Sequence, residues 1–300
     1  MGDPRLTEQR NPHSLRIDEL DALGLVDLIN AEDRMIAEAV SEERESIAFA
    51  LELAEAAFRE GGRLIYVGAG TSGRLGVLDA AEMPPTYGTD PSMVRGIIAG
   101  GYDALVRAQE GAEDHPEDGA RAIDQATVGP NDFVLGIATS GTTPYVHGAL
   151  ERARALGSRT GFLLCTYPPP ELLEKHDVVI ALLVGPEVIT GSTRMKAGTA
   201  TKLVLNTITT GAMVRLGKVY GNLMVDLRVT CEKLRDRGER ILEELLEIER
   251  TEAAALLEEA GGHVKTALVM GYLHVDMADA RRRLDEAGGV ISRAVRDLKG

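Results

Sequence analysis

Two hydrophobic patterns follow one another along this chain, and each predicts a different kind of element. Between Ser14 and Glu60, apolar residues recur every three or four positions, and we predict two helices that end before Gly61-Gly62. Beyond this point the apolar residues stand in short, unbroken runs separated by helical or turn segments. The runs are Arg63–Val67, Val94–Ile98, Phe133–Ala138, Gly161–Leu164 and Val178–Val184. Short buried strands that alternate with helices predict a parallel sheet covered on both faces.

Five such strands suit a doubly wound α/β sheet. From Thr193 the pattern is helical again, and it predicts long helices at Thr193–Gly217 and Leu223–Leu246. Shorter helices follow at Glu252–Ala260, His263–Leu273 and Met277–Glu286, with a final turn to Leu298. We therefore expect a loose polar arm at 1–14, a main domain with flanking helices at 15–247 and a small helical subdomain at 248–300.

Composition narrows the possible partners. Among 300 residues there are 33 Lys and Arg against 47 Asp and Glu, a net charge of −14. Nucleic acid and anionic membranes need a basic face, so we expect neither as a partner. The two cysteines lie far apart and the six histidines lack metal-ligand spacing, so no metal site is predicted. No apolar run approaches a membrane span, and the polar N-terminus is not typical of a signal peptide, so we expect a soluble, cytoplasmic protein.

The first candidate site is the loop 68–73, Gly-Ala-Gly-Thr-Ser-Gly, which follows a predicted strand and begins a helix. We call it the first loop. Free backbone N–H groups at such a helix end bind anions. The glycine spacing is also that of a dinucleotide site, but the next strand, Val94–Ile98, is followed by Ala-Gly-Gly and not by a ribose-binding acid. Hydroxyls such as that of Ser72 suit phosphate better.

The second loop, 139–143, has the sequence Thr-Ser-Gly-Thr-Thr and stands between a strand and Pro144. Proline is common in the first turn of a helix. Two interpretations remain open at this point. The residues Ser140, Thr142 and Thr143 either form a helix cap with a tight turn or bind a phosphate with hydroxyls and helix N-terminal amides.

The third loop, 191–199, precedes the long helix and carries Ser192, Arg194 and Lys196. The two cations could neutralise a substrate anion. Equally, a hydroxyl of this loop could cap the helix while Arg194 pairs with an acid.

Two carboxylates have an unusual context. Glu82 stands just before Pro84-Pro85, near the expected C-terminal end of the first helix of the sheet, where an acid is disfavoured. Glu113 lies among other acids in 109–115. The spacing of these residues alone does not identify either carboxylate as catalytic. A Gly-x-Ser-x-Gly motif is absent, which argues against a Ser-His-Asp hydrolase.

Longer strings carry a resemblance to a known family. The stretches 64–88 (LIYVGAGTSGRLGVLDAAEMPPTYG), 108–114 (AQEGAED), 191–199 (GSTRMKAGT) and 221–226 (GNLMVD) closely resemble N-acetylmuramic acid 6-phosphate etherases. The resemblance runs from about Asn11 to the C-terminus. It implies a sugar isomerase (SIS) fold with a flavodoxin-like five-stranded parallel sheet, and a homodimer with sites near the interface. Apolar helix faces along Leu203–Val214 are the surface that we expect a second copy to cover.

The family resemblance also implies a reaction. The D-lactyl ether at C3 of the phosphorylated sugar is cleaved to N-acetylglucosamine 6-phosphate and D-lactate, in recycling of cell-wall sugars. By similarity Glu82 is the acid that protonates departing lactate, and Glu113 is the base that removes the C2 proton. The phosphate is expected at Ser140, Thr142 and Thr143 with Ser72, whereas Ser192, Arg194 and Lys196 would contact the sugar or the lactyl carboxylate. No metal or organic cofactor is expected, because the open-chain aldehyde accepts the electrons.

Departures from the family pattern are few: Met83 and Thr142 stand where some relatives carry Cys and Arg.

Two other functions remain. A sugar-phosphate isomerase would need only a base and a ring opener, so two matched carboxylates disfavour it. A non-catalytic sugar-phosphate sensor, similar to glucokinase regulatory protein, would carry two SIS domains, and this chain has room for one.

Overall fold

A computed structural model describes residues 5–227, 229 and 231–296. By its internal contacts the chain forms two compact units. The first unit comprises Met1–Glu82 and Pro91–Thr209, and the second comprises Met83–Asp90 and Thr210–Gly300. No helix among the described residues combines the length and the apolar character needed to cross a bilayer.

The first unit is built on a parallel five-stranded sheet, as the hydrophobic runs predict. Its strands are β1 Leu64–Gly68, β2 Val94–Ile98, β3 Phe133–Ile137, β4 Arg159–Leu164 and β5 Val178–Ala181. They lie in the order β2-β1-β3-β4-β5, with Leu64 in register with Val94 on one side and Phe133 on the other. The predicted flavodoxin-like, doubly wound sheet is confirmed.

Helices accompany this sheet. They are α1 Ala22–Asp33, α2 Ile36–Glu42, α3 Arg44–Arg59, α4 Gly70–Tyr87, α5 Asp103–Val106, α6 Pro116–Gln125, α7 Pro144–Ala155, α8 Pro170–Lys175 and α9 Lys196–Arg215. Those that pack on the sheet, such as α3 and α7, bury their apolar faces against the strands. One core cluster joins β1, β3 and β4 to α6 and α7, with Val67, Val134, Ile123, Leu150 and Phe162 among its buried members.

The strand order creates a switch point between β1 and β3. From β1 the chain passes to β2 at one edge, and from β3 it passes to β4 on the other side. Ligands of open α/β sheets bind in the crevice that this reversal leaves at the carboxyl ends of the strands. The first loop follows β1 and the second loop follows β3, so both begin at this crevice.

The N-terminal segment differs from the loose arm that the sequence predicts. Within the first unit, the Leu6 N–H donates to Thr166 Oγ1 at 3.1 Å, and the Ser14 hydroxyl donates to the Val188 carbonyl at 2.8 Å. Three short 3₁₀ turns, Leu6–Glu8, Pro12–Ser14 and Ile17–Glu19, precede α1. Residues 5–14 are therefore anchored by long-range hydrogen bonds, which periodicity cannot predict. Residues 1–4 of the predicted arm lie outside the described residues.

The predicted pair of N-terminal helices is also wrong in detail. The chain makes three helices, α1 to α3, because the second predicted helix is interrupted at Glu43. Two of the apolar residues on which the first predicted helix depended are exposed, Leu15 by 53% and Leu23 by 67%.

In the second unit the predicted helix from Leu223 begins later than expected. Strands β6 Val219–Tyr220 and β7 Leu223–Met224 form a two-stranded antiparallel hairpin instead. The helices that follow are α10 Glu232–Leu246, α11 Arg250–Glu259, α12 Val264–Leu273, α13 Met277–Glu286 and α14 Ile291–Ala294. The three short predicted helices match α11 to α13, whereas Leu298 of the predicted last turn lies outside the described residues.

The apolar residues of this unit share one core. Val225 and Leu242 pack in the same cluster as Leu257, Leu268 and Ile291. The second unit therefore contains α10 and the chain from Thr210 onward, whereas we predicted a helical subdomain at 248–300 only.

Candidate active site

The second loop has its backbone arranged by short hydrogen bonds. Gly141 has a φ of +77°, and its N–H donates to the Ala138 carbonyl at 2.8 Å. Only glycine adopts this left-handed conformation without strain. Thr143 then occupies the N-cap position of α7, and Pro144 is the first residue of the helix.

Several donors of the second loop are left without a partner. Among residues 5–227, 229 and 231–296, nothing accepts a hydrogen bond from the N–H groups of Ser140 and Thr143 or from the Thr143 hydroxyl. The Ser140 and Thr142 hydroxyl oxygens lie 3.0 Å apart. Thr143 therefore does not make the capping bond that one interpretation of this loop requires. The loop instead presents hydroxyls and amides at a helix N-terminus, an arrangement that favours an anion.

The first loop approaches the sheet very closely. A Cβ added at Gly68 would lie 2.7 Å from the Gly73 backbone nitrogen, and one added at Gly73 would lie 2.6 Å from Ile98 Cγ1. Two glycines of the motif are thus required by packing of α4 on the sheet and give no evidence for a dinucleotide. Ser72 is buried in the first turn of α4, and the described residues offer its hydroxyl no hydrogen bond.

A cavity of about 490 Å³ opens at the end of β1. Its walls come from the first loop, the first turn of α4 and the segment 108–114, which includes Glu113. The Glu113 carbonyl accepts a 3.0 Å hydrogen bond from the Tyr145 N–H in the first turn of α7. This bond holds Glu113 beside the second loop, while its exposed side chain stays free to act. The structure thus brings Glu113 and the first loop to one cavity, and the second loop begins at the end of the neighbouring strand β3.

Arg74 also lines this cavity, and sequence reasoning missed it. Its Nε donates to the Leu105 carbonyl at 3.1 Å, which fixes the guanidinium against α5. The pattern that could have identified it is a cation in the first turn of the helix that follows a glycine-rich loop. Among the described residues, no group of three or more His, Cys, Asp and Glu side chains could hold a metal ion.

The third loop is arranged differently from our expectation. The Glu187 carboxylate accepts hydrogen bonds from the backbone N–H groups of Lys196 and Ala197 at 3.0 and 2.9 Å, so it caps α9. Lys196 is 1% exposed, and its Nζ donates to Glu32 Oε2 at 2.5 Å. The cation of Lys196 is therefore already neutralised inside the protein, which corrects its predicted role as a substrate-binding residue.

Glu32 is the centre of this buried network. Burial of its carboxyl opposes ionisation, but hydrogen bonds from Lys196, His13 and Asn11 outweigh burial and lower the pKa of Glu32 to about 2.

By contrast, Arg194 is exposed and has no ion pair in the part of the chain that the structure describes. Ser192 is half-buried, and its carbonyl accepts a hydrogen bond from the Met195 N–H, which closes a turn.

Glu82 lies far from the cavity in its own chain. Helix α4 does not stop at Pro84-Pro85 but continues to Tyr87, so Glu82 is not at a helix end. Twelve residues of helix separate it from Gly70, roughly 18 Å along the axis. Its side chain is exposed. A single chain therefore does not bring Glu82 and Glu113 together.

A buried acid one turn earlier fixes α4 in place. Asp79 accepts hydrogen bonds from Tyr66 of β1 at 2.9 Å and from Asn206 and Thr209 of α9 at 2.7 and 3.2 Å. Burial raises the pKa of Asp79, although these bonds oppose the rise. The network joins α4 to the sheet and to α9.

Comparison with known proteins gives two kinds of similarity. A family model described as the glucokinase regulatory protein N-terminal SIS domain matches residues 46–154. Among solved structures, a phosphoheptose isomerase from Francisella tularensis is 16% identical, with a TM-score of 0.47, and the match covers 64% of this chain and 100% of that one.

Curated relatives match almost the whole chain. An N-acetylmuramic acid 6-phosphate etherase from Gloeobacter violaceus is 55% identical over 295 residues, covering 98% of this chain and 96% of the relative. Proteins of the same name from Synechococcus elongatus and Salinibacter ruber are each 56% identical over 290 residues. These matches cover 97% and 96% of this chain, and 94% and 93% of the respective relatives. The chain therefore belongs to the N-acetylmuramic acid 6-phosphate etherase family.

Proposed function

We propose that this protein is an enzyme that cleaves the D-lactyl ether of N-acetylmuramic acid 6-phosphate. The products are N-acetylglucosamine 6-phosphate and D-lactate. The observation that carries this proposal is 55% identity across 98% of the chain to a protein named for that substrate. The cavity of about 490 Å³ has a volume that suits one phosphorylated hexose.

Two carboxylates carry the proton transfers of the reaction. With the sugar ring open, C1 is an aldehyde and makes the C2 proton acidic. Glu113 removes that proton, the electron pair forms a C2=C3 double bond, and the C3–O bond breaks. Glu82 gives its proton to the departing lactate oxygen. Water then adds to C3 with Glu82 as base, and Glu113 returns a proton to C2.

The phosphate position follows from the unpartnered donors. We place it on the second loop, at Ser140, Thr142 and Thr143, with Ser72 of the first loop beside it. A phosphate dianion would accept hydrogen bonds from the Ser140 and Thr143 N–H groups and the Thr143 hydroxyl, which have no other acceptor among the described residues, at the positive end of α7. Arg194, exposed and without an ion pair among the described residues, is our candidate for the lactyl carboxylate, with Ser192 near the sugar.

We further propose that the enzyme is a homodimer in which the partner copy supplies Glu82. Roughly 18 Å of helix separates this residue from its own first loop, so it cannot serve that cavity. Leu78 lies one turn before Glu82 on the same face of α4 and is 53% exposed. A second copy that covers Leu78 would bring Glu82 to the other chain's cavity.

The apolar surface expected to pair with a second copy needs correction. Along Leu203–Val214 the described structure already buries Val204, Leu205, Ile208 and Met213, whereas Val214 is exposed. The exposed apolar residues of the first unit lie elsewhere, at Leu15, Leu23, Val26, Phe49 and Leu78 among others.

One assay tests the reaction directly. Purified protein is incubated with N-acetylmuramic acid 6-phosphate, and D-lactate is measured with a stereospecific dehydrogenase. Release of D-lactate in stoichiometric amount with N-acetylglucosamine 6-phosphate is the expected result. Binding of the sugar phosphate without lactate would favour the sensor, which the family model over residues 46–154 makes the second candidate. A rearranged sugar phosphate that keeps its lactyl group would favour an isomerase.

A further inference from the structure

A histidine behind the second loop takes no part in the chemistry above but contacts the loop backbone. His147 is the fourth residue of α7, and its Nε2 lies 2.9 Å from the carbonyl oxygen of Gly141. A carbonyl oxygen can only accept a hydrogen bond, so Nε2 carries the proton and donates it. The neutral Nε2–H tautomer and the imidazolium both satisfy this requirement.

The ring of His147 is itself held from behind. Its centroid lies 5.2 Å from that of Phe162, a fully buried residue of β4. Phe162 in turn packs on His176 at 5.6 Å, and burial lowers the pKa of His176 to about 4. His147 thus rests on an uncharged, aromatic support at neutral pH. Its side chain is fixed by packing as well as by its hydrogen bond.

The bond to Gly141 determines the orientation of a whole peptide unit. In the trans peptide between Gly141 and Thr142, the carbonyl and the N–H point in opposite directions. When the carbonyl points to His147, the Thr142 N–H points to the other side and donates a hydrogen bond to the Ser140 Oγ at 3.4 Å. A rotated peptide would instead present the carbonyl oxygen to the anion. Gly141, at a φ of +77°, offers little resistance to that rotation.

We propose that His147 is a positioning residue for phosphate binding: it holds the Gly141–Thr142 peptide so that the Gly141 carbonyl oxygen points away from the phosphate and the Ser140 and Thr143 N–H groups face it. This inference rests on the proposed function, because it assumes that the second loop binds the phosphate of the substrate. The same geometry applies to any phosphate monoester or to inorganic phosphate.

The test compares two variants of the full chain. His147→Leu removes the donor, whereas His147→Gln keeps an amide N–H at a similar reach. For His147→Leu we expect a rise of about fivefold to tenfold in KM for N-acetylmuramic acid 6-phosphate and in the inhibition constant of inorganic phosphate. We expect kcat to change by less than about twofold, because the reacting atoms are not touched. His147→Gln should restore both constants, which a purely structural loss of packing would not predict.

A third variant separates failure of this inference from failure of the proposed function. If Ser140→Ala also leaves the inhibition constant of inorganic phosphate unchanged, the second loop is not the phosphate site. If Ser140→Ala raises that constant and His147→Leu does not, the positioning role is wrong. A spectroscopic measurement on the unmodified protein covers the case in which His147→Leu fails to fold. Nitrogen-15 NMR of the imidazole should show a protonated Nε2, and a neutral Nδ1–H tautomer would overturn the inference.

Discussion

Ser140 and Thr143 differ in how much of their hydrogen-bonding capacity the protein already uses. The Ser140 hydroxyl pairs with that of Thr142, whereas the Thr143 hydroxyl has no partner among the described residues. A hydrogen bond to a charged phosphate contributes about 1.5–3 kcal/mol. We therefore expect Ser140→Ala and Thr143→Ala each to raise KM by roughly tenfold or more, with a smaller effect on kcat.

Steady-state kinetics with N-acetylmuramic acid 6-phosphate provide the measurement for this prediction. Thr251→Ala is a matched control, because Thr251 is an exposed residue of α11 and should leave KM unchanged. Unaltered KM in both loop variants would remove the second loop from the site.

Variants of the two carboxylates, Glu82 and Glu113, should lose different steps of the reaction. If Glu113 removes the C2 proton, turnover in D₂O places deuterium at C2 of the product, and oxygen from water appears at C3. Glu113→Gln should abolish C2 exchange. Glu82→Gln retains the base, so it should still exchange the C2 proton while it expels lactate slowly. Each change should lower the turnover rate by about 10²–10⁴.

Proton NMR and mass spectrometry of the sugar product measure these isotopes. An unlabelled C2 with the original oxygen at C3 would indicate attack on the lactyl carbon in place of elimination. Exchange lost only in Glu82→Gln would show that the two roles are reversed.

At the scale of elements, the sequence predicts the sheet better than what surrounds it. All five strands match their hydrophobic runs. The central strands β1, β3 and β4 are almost wholly buried and therefore apolar, whereas the edge strands β2 and β5 are partly exposed. The helix predicted from Leu223 is wrong because the apolar residues Leu223, Met224, Val225 and Leu227 belong to a hairpin and to the chain after it. The periodicity of one segment gives no information about the strand with which that segment pairs.

The errors at the site have a related cause. Lys196 pairs with Glu32, which lies 164 positions away, and the Asn11 side chain donates to Glu32 and to the Pro186 carbonyl. No spacing rule connects such distant residues. The loops at the carboxyl ends of β1 and β3 could be predicted, because strand order and glycine placement are local patterns. The burial of the Lys196 cation could not be predicted in this way.

The buried pair of Glu32 and Lys196 predicts a pH dependence of stability. The folded-state pKa of Glu32 is about 2, below its ordinary value of 4.5. A depressed pKa stabilises the folded protein at pH values above the ordinary pKa, and the contribution is lost as pH falls from about 4.5 towards 2. We expect Glu32→Gln to destabilise the protein at pH 7 and to flatten the decline in Tm over this acid range.

Thermal unfolding at a series of pH values checks this expectation. Removing one partner of a buried ion pair costs about 3–5 kcal/mol, so Lys196→Met should lower Tm strongly, and the double variant with Glu32→Gln should recover part of the loss. Arg282→Met is the matched control, because its pair with Asp279 is exposed to solvent and should change Tm much less than the buried pair does. An equal effect of both lysine and arginine variants would contradict a special role for the buried pair.

At the scale of the whole molecule, the separation of Glu82 from Glu113 makes a prediction about subunits. Each site would combine Glu113 of one copy with Glu82 of the other. A mixed dimer of a Glu82→Gln chain and a Glu113→Gln chain then contains one site with both carboxylates intact and one site with neither. If each chain served its own cavity, mixing would restore nothing, because every site would lack one carboxylate.

The two inactive variants, purified separately, are mixed in equal amounts under conditions that allow subunits to exchange, and D-lactate release is followed. Random pairing makes about half of the dimers mixed, and half of their sites are intact, so activity should recover to about one quarter of the unmodified enzyme. The control omits exchange by keeping the variants in separate reactions, which should show only the residual rate of each. Light scattering at micromolar concentration must show dimers in the same sample. A fully active monomer, or dimers that exchange without any gain in D-lactate release, would show that Glu82 does not act across the interface.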